Sequence, residues 1–182
     1  DGTHFDTVSR AHGRMERIIV DVLTLARGPD VVDPDDEVDL GTAAEAAWKT
    51  VETDGSDLVV EGPLPTVVAD RDRLRRLFEN LFRNAVEHGH RGGSAGEGTE
   101  PLAVTVGALG DERGFFVADT GRGIPPALRD RVFEPGYSTD EHGTGLGLSI
   151  VARIVDLHGW TIAVTASTSG GARFEIGGVD TA

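Results

Sequence analysis

Three glycines alternate in the stretch GTGLGLS, as Gly143, Gly145 and Gly147, at the start of an apolar run with helical spacing. Glycine destabilises a helix interior by about 1 kcal/mol relative to alanine, so this spacing needs a functional reason. A phosphate group supplies one, because it can approach backbone N–H groups at a helix N-terminus closely when no Cβ intervenes. The stretch therefore predicts a phosphate-binding site.

Two widespread phosphate-binding loops fit this stretch poorly. A Walker A loop needs a lysine after its last glycine, and the only lysine of the chain, Lys49, lies in AAWKT with no glycine beside it. A dinucleotide-binding Gly-x-Gly-x-x-Gly loop follows a strand. Here Leu148 takes the place of the last glycine, and the charged segment TDEH precedes the loop. The first design is excluded and the second is disfavoured.

Two other stretches carry polar residues that suit a nucleotide. NLFRNAVEHG (80–89) places Asn80 and Asn84 four positions apart on one helical face, with His88 one turn further. DTGRGIP (119–125) places Asp119 at the end of a strand, inside a glycine-rich turn. Each stretch alone is a weak signal, but together with the glycine stretch their order and separation strongly indicate a third design of phosphate-binding site.

These stretches resemble the ATP-binding domain of sensor histidine kinases, within the wider superfamily of gyrase, the large heat-shock chaperone and mismatch-repair ATPases. Residues 80–89 match the N box of that family, and 119–123 match its first glycine box. FEPGYST (133–139) matches the F box, and 143–149 match the second glycine box. The resemblance covers about residues 37–178. Residues 3–27 are also similar to the second helix of the dimerisation and phosphoacceptor hairpin.

The resemblance implies that the chain binds ATP with Mg²⁺. A carboxylate only accepts hydrogen bonds, so Asp119 suits the adenine amine, while Asn84 would supply the one amide oxygen that magnesium needs beside phosphate oxygens. The residues implied for the ATP site are Asn80, Asn84, Glu87, His88, Asp119, Gly121, Gly123, Ile124, Phe133, Tyr137, Gly143, Thr144, Gly145, Leu146, Gly147 and Leu148.

Asn80 distinguishes a kinase from an ATP hydrolase. Hydrolytic members of the superfamily carry a glutamate at this position as the general base for water, and an amide cannot take a proton at neutral pH. Glu79 lies one residue away, rotated by about 100° around the helix. A departure from the family is Glu87, where many members have lysine. Either Arg83 or Arg122 takes over that positive charge, or Glu87 turns to solvent.

No phosphoacceptor histidine is recognisable, so no catalytic residue is assigned. The family's acceptor is followed by an acidic residue and then a proline. His4 and His12 lack this context, and His90, His142 and His158 are interpreted as surface or packing residues. The acceptor helix is expected upstream of Asp1. The alternative functions are a non-catalytic nucleotide-binding regulator and a serine kinase or ATPase of the same fold.

The elements around these motifs predict an α+β fold. It is a two-layer α/β sandwich whose mixed, mostly antiparallel sheet is covered by helices on one face, preceded by one long N-terminal helix. We expect a partial dimerisation helix over 1–28, a linker over 29–36 and the ATP-binding domain over 37–182; the Asp- and Pro-rich stretch 30–39 is interpreted as linker sequence. Helices are predicted over 3–27, 41–53, 71–89 and 144–158, strands over 58–62, 66–70, 101–109, 114–119, 160–166 and 172–177, and loops over 90–98 and 120–143.

Composition limits the partners. The chain has 182 residues and a net charge of −14, which argues against nucleic-acid binding. We expect ATP or ADP and the receiver domain of a response regulator as partners, and a homodimer formed through the N-terminal helix. The absence of cysteine and of long apolar runs predicts a cytoplasmic location for this chain, with the full-length protein open to membrane anchoring. Having one lysine among 17 basic residues, against 31 acidic ones, suggests a salt-loving source such as a haloarchaeon. A GC-rich genome is the alternative explanation.

Overall fold

The part of the chain that carries the predicted ATP site is described by a computed structural model, over residues 36–53, 55–89, 101–110, 113–138 and 144–182. Several predictions fall on other residues and are not tested by it. They are the helix over 3–27, the dimerisation helix and most of the linker, the loop over 90–98, Gly143, and the histidines His4, His12, His90 and His142.

A five-stranded mixed sheet forms one layer of the fold, in the order β2-β4-β5-β7-β6. Strands β2 and β4 pair in parallel, and every other neighbouring pair is antiparallel. This arrangement confirms the predicted fold class. In chain order the strands are β1 Asp36–Asp39, β2 Asp57–Glu61, β3 Thr66–Ala69, β4 Ala103–Ala108, β5 Gly114–Asp119, β6 Thr161–Ala166 and β7 Ala172–Gly177.

Three helices form the second layer: α1 Leu40–Trp48, α2 Arg71–Gly89 and α3 Gly147–Leu157. Helix α2 packs against both of the others. Aromatic contacts join α2 to the sheet. The ring of Phe78 in α2 stacks on Phe82 with ring centres 5.6 Å apart, and it contacts Phe115 of β5 with ring centres 5.4 Å apart. None of the helices in the described ranges is both long enough and apolar enough to cross a bilayer.

The carboxylates before α1 and α2 fix where these helices begin. Asp70 Oδ1 accepts the N–H of Arg73 at 3.0 Å, which confirms the predicted N-cap of α2. Asp39 Oδ1 accepts the N–H of Thr42 at 2.7 Å in the same way. This hydrogen bond lowers the pKa of the Asp39 carboxyl, because it stabilises the ionised form.

The end of the Asp- and Pro-rich stretch 30–39, which is interpreted as a linker, forms a strand over Asp36–Asp39, so that part of the interpretation was wrong. Strand β1 pairs antiparallel with β3 in a separate two-stranded sheet, with Val38 opposite Val67. Val38 is 1% exposed, whereas its strand neighbours Glu37 and Asp39 point to solvent. A single buried valine among acidic residues gives too little alternation for the strand to be recognised from sequence.

Two helix ends also differ from the prediction. Helix α1 ends at Trp48 rather than at residue 53, because the Thr50 hydroxyl and N–H both bond the carbonyl of Ala47 in a turn. Helix α3 begins at Gly147 rather than at residue 144, since Gly145 has a φ of +65°, which a right-handed helix does not allow. The predicted loop over 120–143 contains two short 3₁₀ turns, Pro126–Leu128 and Arg131–Phe133.

Candidate nucleotide-binding site

A cavity of about 400 Å³ lies among the C-terminal half of α2, the end of β5, the loop that follows β5, and the start of α3. This volume suits a small-molecule ligand. Residues from all four sequence motifs therefore meet at this cavity, although about 65 positions separate Asn80 from Gly145. The predicted site residues that line the cavity are Asn80, Asn84, Glu87, His88, Asp119, Gly123, Ile124, Tyr137, Thr144, Gly145, Gly147 and Leu148.

Three predicted site residues do not line this cavity. Gly121 contacts the end of α2, where a Cβ would come within 2.5 Å of the Gly89 backbone. Phe133 packs edge-on against Phe174 of β7, with ring centres 6.4 Å apart, so its ring belongs to the apolar core. Leu146 occupies the N-cap position of α3 and packs against the same core.

Asp119 is the most buried charged group of the site, with 6% of its surface exposed. Its Oδ1 accepts backbone N–H groups from Gly121 at 2.8 Å and from Ala172 at 3.2 Å. Among the residues that the structure describes, no donor contacts Oδ2, so this oxygen keeps its acceptor capacity for a ligand. Burial raises the pKa of the Asp119 carboxyl above its usual 3.8, while the two N–H groups act in the opposite direction.

The start of α3 forms another wall of the cavity. The N–H of Gly136 donates to the carbonyl of Gly145 at 3.0 Å. A Cβ on Gly145 would lie only 2.5 Å from the Gly136 backbone, so both this contact and the positive φ of Gly145 require glycine. The free N–H groups of the first turn of α3 and the helix dipole favour an anion at this end of the cavity.

The two asparagines of α2 differ in how firmly they are held. Asn80 is 4% exposed, and its Nδ2 donates to the carbonyl of Arg76 at 2.8 Å while its Oδ1 faces the Arg83 guanidinium at 3.5 Å. Asn84 is half-buried and makes no side-chain hydrogen bond to another described residue. Asn84 therefore offers the freer amide oxygen to a ligand, whereas Asn80 is fixed by its own helix.

Charged side chains of both signs line the cavity. Arg83 and Arg122 bring positive charge, and Glu87 brings negative charge from the same helix as Arg83. Glu87 and Arg122 are exposed, while Arg83 is half-buried. Both arginines considered for the missing lysine role are thus at the cavity, and Glu87 lines it with its side chain exposed to solvent.

The cavity is also lined by residues outside the predicted set. Arg83 and Gly89 lie inside the N box, so the motif itself pointed to them, whereas Ala172 comes from β7 and had no signal in the sequence. Ile124, Leu128 and Leu148 give the cavity apolar sides that suit a flat heterocycle. Arg83 and Arg122 were considered only as replacements for the missing lysine, and the lining residues that had no predicted role are Gly89, Pro125, Leu128, Val132, Ser138 and Ala172.

Acidic residues alone do not build a metal site here. Within the described ranges, no group of three or more His, Cys, Asp or Glu side chains is placed to hold a metal ion. This donor set still fits magnesium, which keeps several waters and needs few protein ligands when phosphate oxygens are present. Asn84, which is half-buried and lines the cavity, offers it a neutral oxygen donor.

Comparison with known proteins identifies a family of ATPases and a similar histidine kinase. Residues 69–180 match the family described as histidine kinase-, DNA gyrase B-, and HSP90-like ATPase. The sensor histidine kinase ZraS of Escherichia coli O157:H7 is 31% identical over 170 residues, which cover 90% of this chain and 35% of ZraS. The chain thus spans about a third of the length of this curated relative.

Solved structures show the same likeness. Full-length ShkA, crystallised in complex with AMPPNP, superposes with a TM-score of 0.72 and 32% identity, over 97% of this chain and 38% of ShkA. The mycobacterial sensor histidine kinase MprB superposes with a TM-score of 0.66 over 80% of this chain and 99% of the MprB chain. MprB is 24% identical, so it supports the fold alone.

Proposed function

Because this chain belongs to the family of histidine kinase-, DNA gyrase B- and HSP90-like ATPases and carries the ATP-binding domain of sensor histidine kinases, we propose that it transfers the γ-phosphate of ATP to a histidine. The proposed acceptor histidine belongs to a helix whose motif is not recognisable in this chain. From there the phosphate passes to the receiver domain of a response regulator.

The observation that carries this proposal is the placement of the Asp119 carboxylate at one side of the cavity and the start of α3 at another. Oδ2 of Asp119 is an acceptor with no protein donor in the described ranges, and the adenine amine is a donor. Guanine presents an oxygen at that position, so the carboxylate repels it. The backbone N–H groups at the start of α3 receive the phosphates.

Arg83 is proposed to supply the positive charge that many relatives obtain from lysine. Its guanidinium is 3.5 Å from Oδ1 of Asn80, and it is less exposed than Arg122. A half-buried arginine at the cavity is shielded less by solvent than an exposed one, so it balances the charge of Glu87 and of the triphosphate more effectively. Arg122 is left to contact the nucleotide from the other side of the cavity.

Asn84 is proposed to hold Mg²⁺ together with the phosphate oxygens. When bound, the ion neutralises charge on the transferring phosphoryl group. Asn84 contributes a neutral ligand, and its position four residues after Asn80 directs it to the same cavity. His88, one turn further along α2, also lines the cavity.

Phosphate transfer is favoured over hydrolysis by the residues near Asn80. An amide cannot deprotonate water. Glu79, the neighbouring carboxylate, accepts the Thr50 hydroxyl at 3.0 Å and pairs with Arg75 at 3.7 Å, and it does not line the cavity. Neither Asn80 nor the neighbouring Glu79 is therefore suited to activate a water molecule in the cavity.

The assembly and the cellular setting extend the proposal. The N-terminal residues 3–27 have a heptad-like apolar seam, through which two copies would form a homodimer. The cytoplasm is the proposed location, because the ATP substrate and the response regulator are found there. The acidic, lysine-poor composition is proposed to reflect adaptation to high salt in a halophile.

Calorimetry and radiolabelling test this function together. The chain should bind ATP and ADP in the presence of Mg²⁺, bind GTP poorly, and hydrolyse ATP at close to the background rate. Incubated alone with γ-labelled ATP, it should acquire no acid-labile label. Steady hydrolysis that Asn84→Ala abolishes would indicate an ATPase instead, and acid-stable label on serine would indicate a serine kinase.

A further inference from the structure

The turn that joins β6 and β7 lies directly behind Asp119. The Ser167 hydroxyl in this turn donates to the backbone carbonyl of Asp119 at 2.7 Å, across 48 positions of sequence. The same hydroxyl accepts the N–H of Gly171 at 2.9 Å. One side chain therefore joins the end of β5 to both ends of the turn.

Asp119 also contacts the last residue of this turn and the first residue of β7. The N–H of Ala172 donates to Oδ1 of Asp119 at 3.2 Å, while the backbone of Gly171 passes so close that a Cβ there would overlap the Asp119 carbonyl and Oδ1. The backbone of Asp119 is thus held by the Ser167 side chain, and its side chain is held by the backbone N–H of Ala172 at the start of β7. These two attachments together fix the direction of Oδ2.

Ser167 does not line the cavity, so it cannot contact the nucleotide directly. We propose that Ser167 is a positioning residue that orients the Asp119 carboxylate and thereby sets the preference for adenine over guanine. This inference rests on the proposed binding of ATP. Without the hydroxyl, the turn loses its bond to the Asp119 carbonyl, and the N–H of Gly171 loses its acceptor. The Ala172 N–H then approaches Oδ1 with less accurate geometry.

The direct test compares ADP and GDP affinities of the 182-residue chain by calorimetry. Ser167→Ala should weaken ADP binding by about three- to tenfold, the effect of one hydrogen bond, and leave GDP binding nearly unchanged. The matched control is Thr168→Ala, which removes an exposed hydroxyl from the same turn and should change neither affinity by more than about twofold. A role confined to folding would lower the melting temperature without changing the ratio of ADP to GDP affinity, and that result would overturn the inference.

A second pair of variants separates the hydroxyl from the shape of the side chain. Ser167→Thr keeps the hydroxyl. Ser167→Val introduces a side chain of the same shape as threonine but without the hydroxyl. Any disturbance of folding by the added methyl groups is shared, so the threonine variant should bind ADP about three- to tenfold more tightly than the valine variant. Equal affinities of these two variants would contradict the inference.

A double-mutant cycle with Asp119→Asn shows whether Ser167 acts through Asp119. In the Asp119→Asn background, Ser167→Ala should weaken ADP binding by less than about twofold, because the group that it orients is already lost. Fully additive effects would overturn the inference but leave the proposed function in place. Failure of the unmodified chain to bind ADP would instead overturn the proposed function itself.

Discussion

The backbone N–H of Asp70 donates a hydrogen bond to Nε2 of His158 at 3.1 Å, although 88 positions separate the two residues. Nε2 therefore carries no proton, and the proton of the neutral ring lies on Nδ1, which donates to the carbonyl of Ile154 at 2.8 Å. The ring also stacks on Trp160 at 4.3 Å. A neutral histidine thus joins the start of α2 to the end of α3, at the ends of these helices that lie away from the cavity.

The first prediction is that the protein loses stability in mild acid through His158. Burial lowers the pKa of His158 below its usual 6.5, against the opposing effects of the Ile154 hydrogen bond and the Asp70 charge, while Arg73 lowers it further. The stability contributed by the neutral ring is fully present above pH 6.5. It decreases as the pH falls through 6.5 toward the lower folded-state pKa, because the unfolded chain takes up a proton first.

Urea denaturation of the wild type and of His158→Gln measures this effect. Glutamine can accept the Asp70 N–H but does not titrate, and all other groups are common to both proteins. As the pH falls below 6.5, the free energy of unfolding of the wild type should therefore decrease more than that of His158→Gln. Two parallel pH profiles would show that His158 does not titrate between the folded and unfolded states in this way.

The second prediction separates binding from stability at Asp119. Asp119→Asn presents an N–H donor to the adenine amine and should weaken ATP binding about 10- to 100-fold, as expected for a bond to a charged acceptor. Because the folded-state pKa is raised, the ionised carboxylate lowers stability as the pH rises above 3.8, so the variant should melt at the same or a higher temperature without ligand. The matched control is Asp156→Asn, at an exposed carboxylate on α3. Unchanged ATP affinity in Asp119→Asn would contradict the assignment.

The third prediction concerns the close approach of Gly171 to Asp119. The Cβ of Gly171→Ala would overlap the Asp119 carbonyl, so the turn must shift, and we expect a loss of roughly 1–3 kcal/mol in the free energy of unfolding together with weaker ATP binding. Gly110→Ala serves as the control, because among the described residues no heavy atom apart from those of its chain neighbours lies within 4 Å of its Cβ position. Equal effects of the two substitutions, measured by denaturation and calorimetry, would mean that this contact is unimportant.

The fourth prediction distinguishes a metal ligand from a general contact. Asn84→Ala should weaken the binding of ATP with Mg²⁺ by about tenfold or more, but weaken ATP binding in EDTA by less than about threefold, since only the first complex uses the amide oxygen. Asn80→Ala provides the contrast. The Asn80 amide donates to the Arg76 carbonyl inside α2. Asn80→Ala should therefore lower the melting temperature of the protein, in addition to any effect on ATP binding. Equal losses with and without Mg²⁺ in Asn84→Ala would argue against metal binding by this residue.

The fifth prediction tests the explanation of the acidic composition. The chain carries a net charge of −14, and raising the ionic strength from 0.1 to 1 M shortens the Debye length from about 10 to about 3 Å. If the surface is adapted to salt, the melting temperature should rise clearly with KCl over this range, because self-repulsion of the folded state is screened. A melting temperature independent of KCl would favour the GC-rich genome as the reason for the lack of lysine.

The sequence by itself determined the fold class and most of the residues that meet at the cavity. Helix α2 was predicted with its bounds because its apolar period is long and Asp70 is a recognisable N-cap. Asp119, Asn84 and Gly145 were assigned to one candidate site because the stretches that hold them resemble the motifs of a known family, and all three do line one cavity. Local patterns of this kind need no knowledge of distant residues.

Only the tertiary structure decided how Asp119 is held and what surrounds it. Ala172 and Ser167 lie about 50 positions from Asp119, and no local period or motif connects a serine in a turn with an aspartate at the end of another strand. Strand β1 escaped prediction for a related reason, since its one buried residue, Val38, acquires meaning only from its partner Val67. Contacts between residues far apart in the chain depend on strand order and register, and these are set by the packing of the whole domain rather than by any one segment.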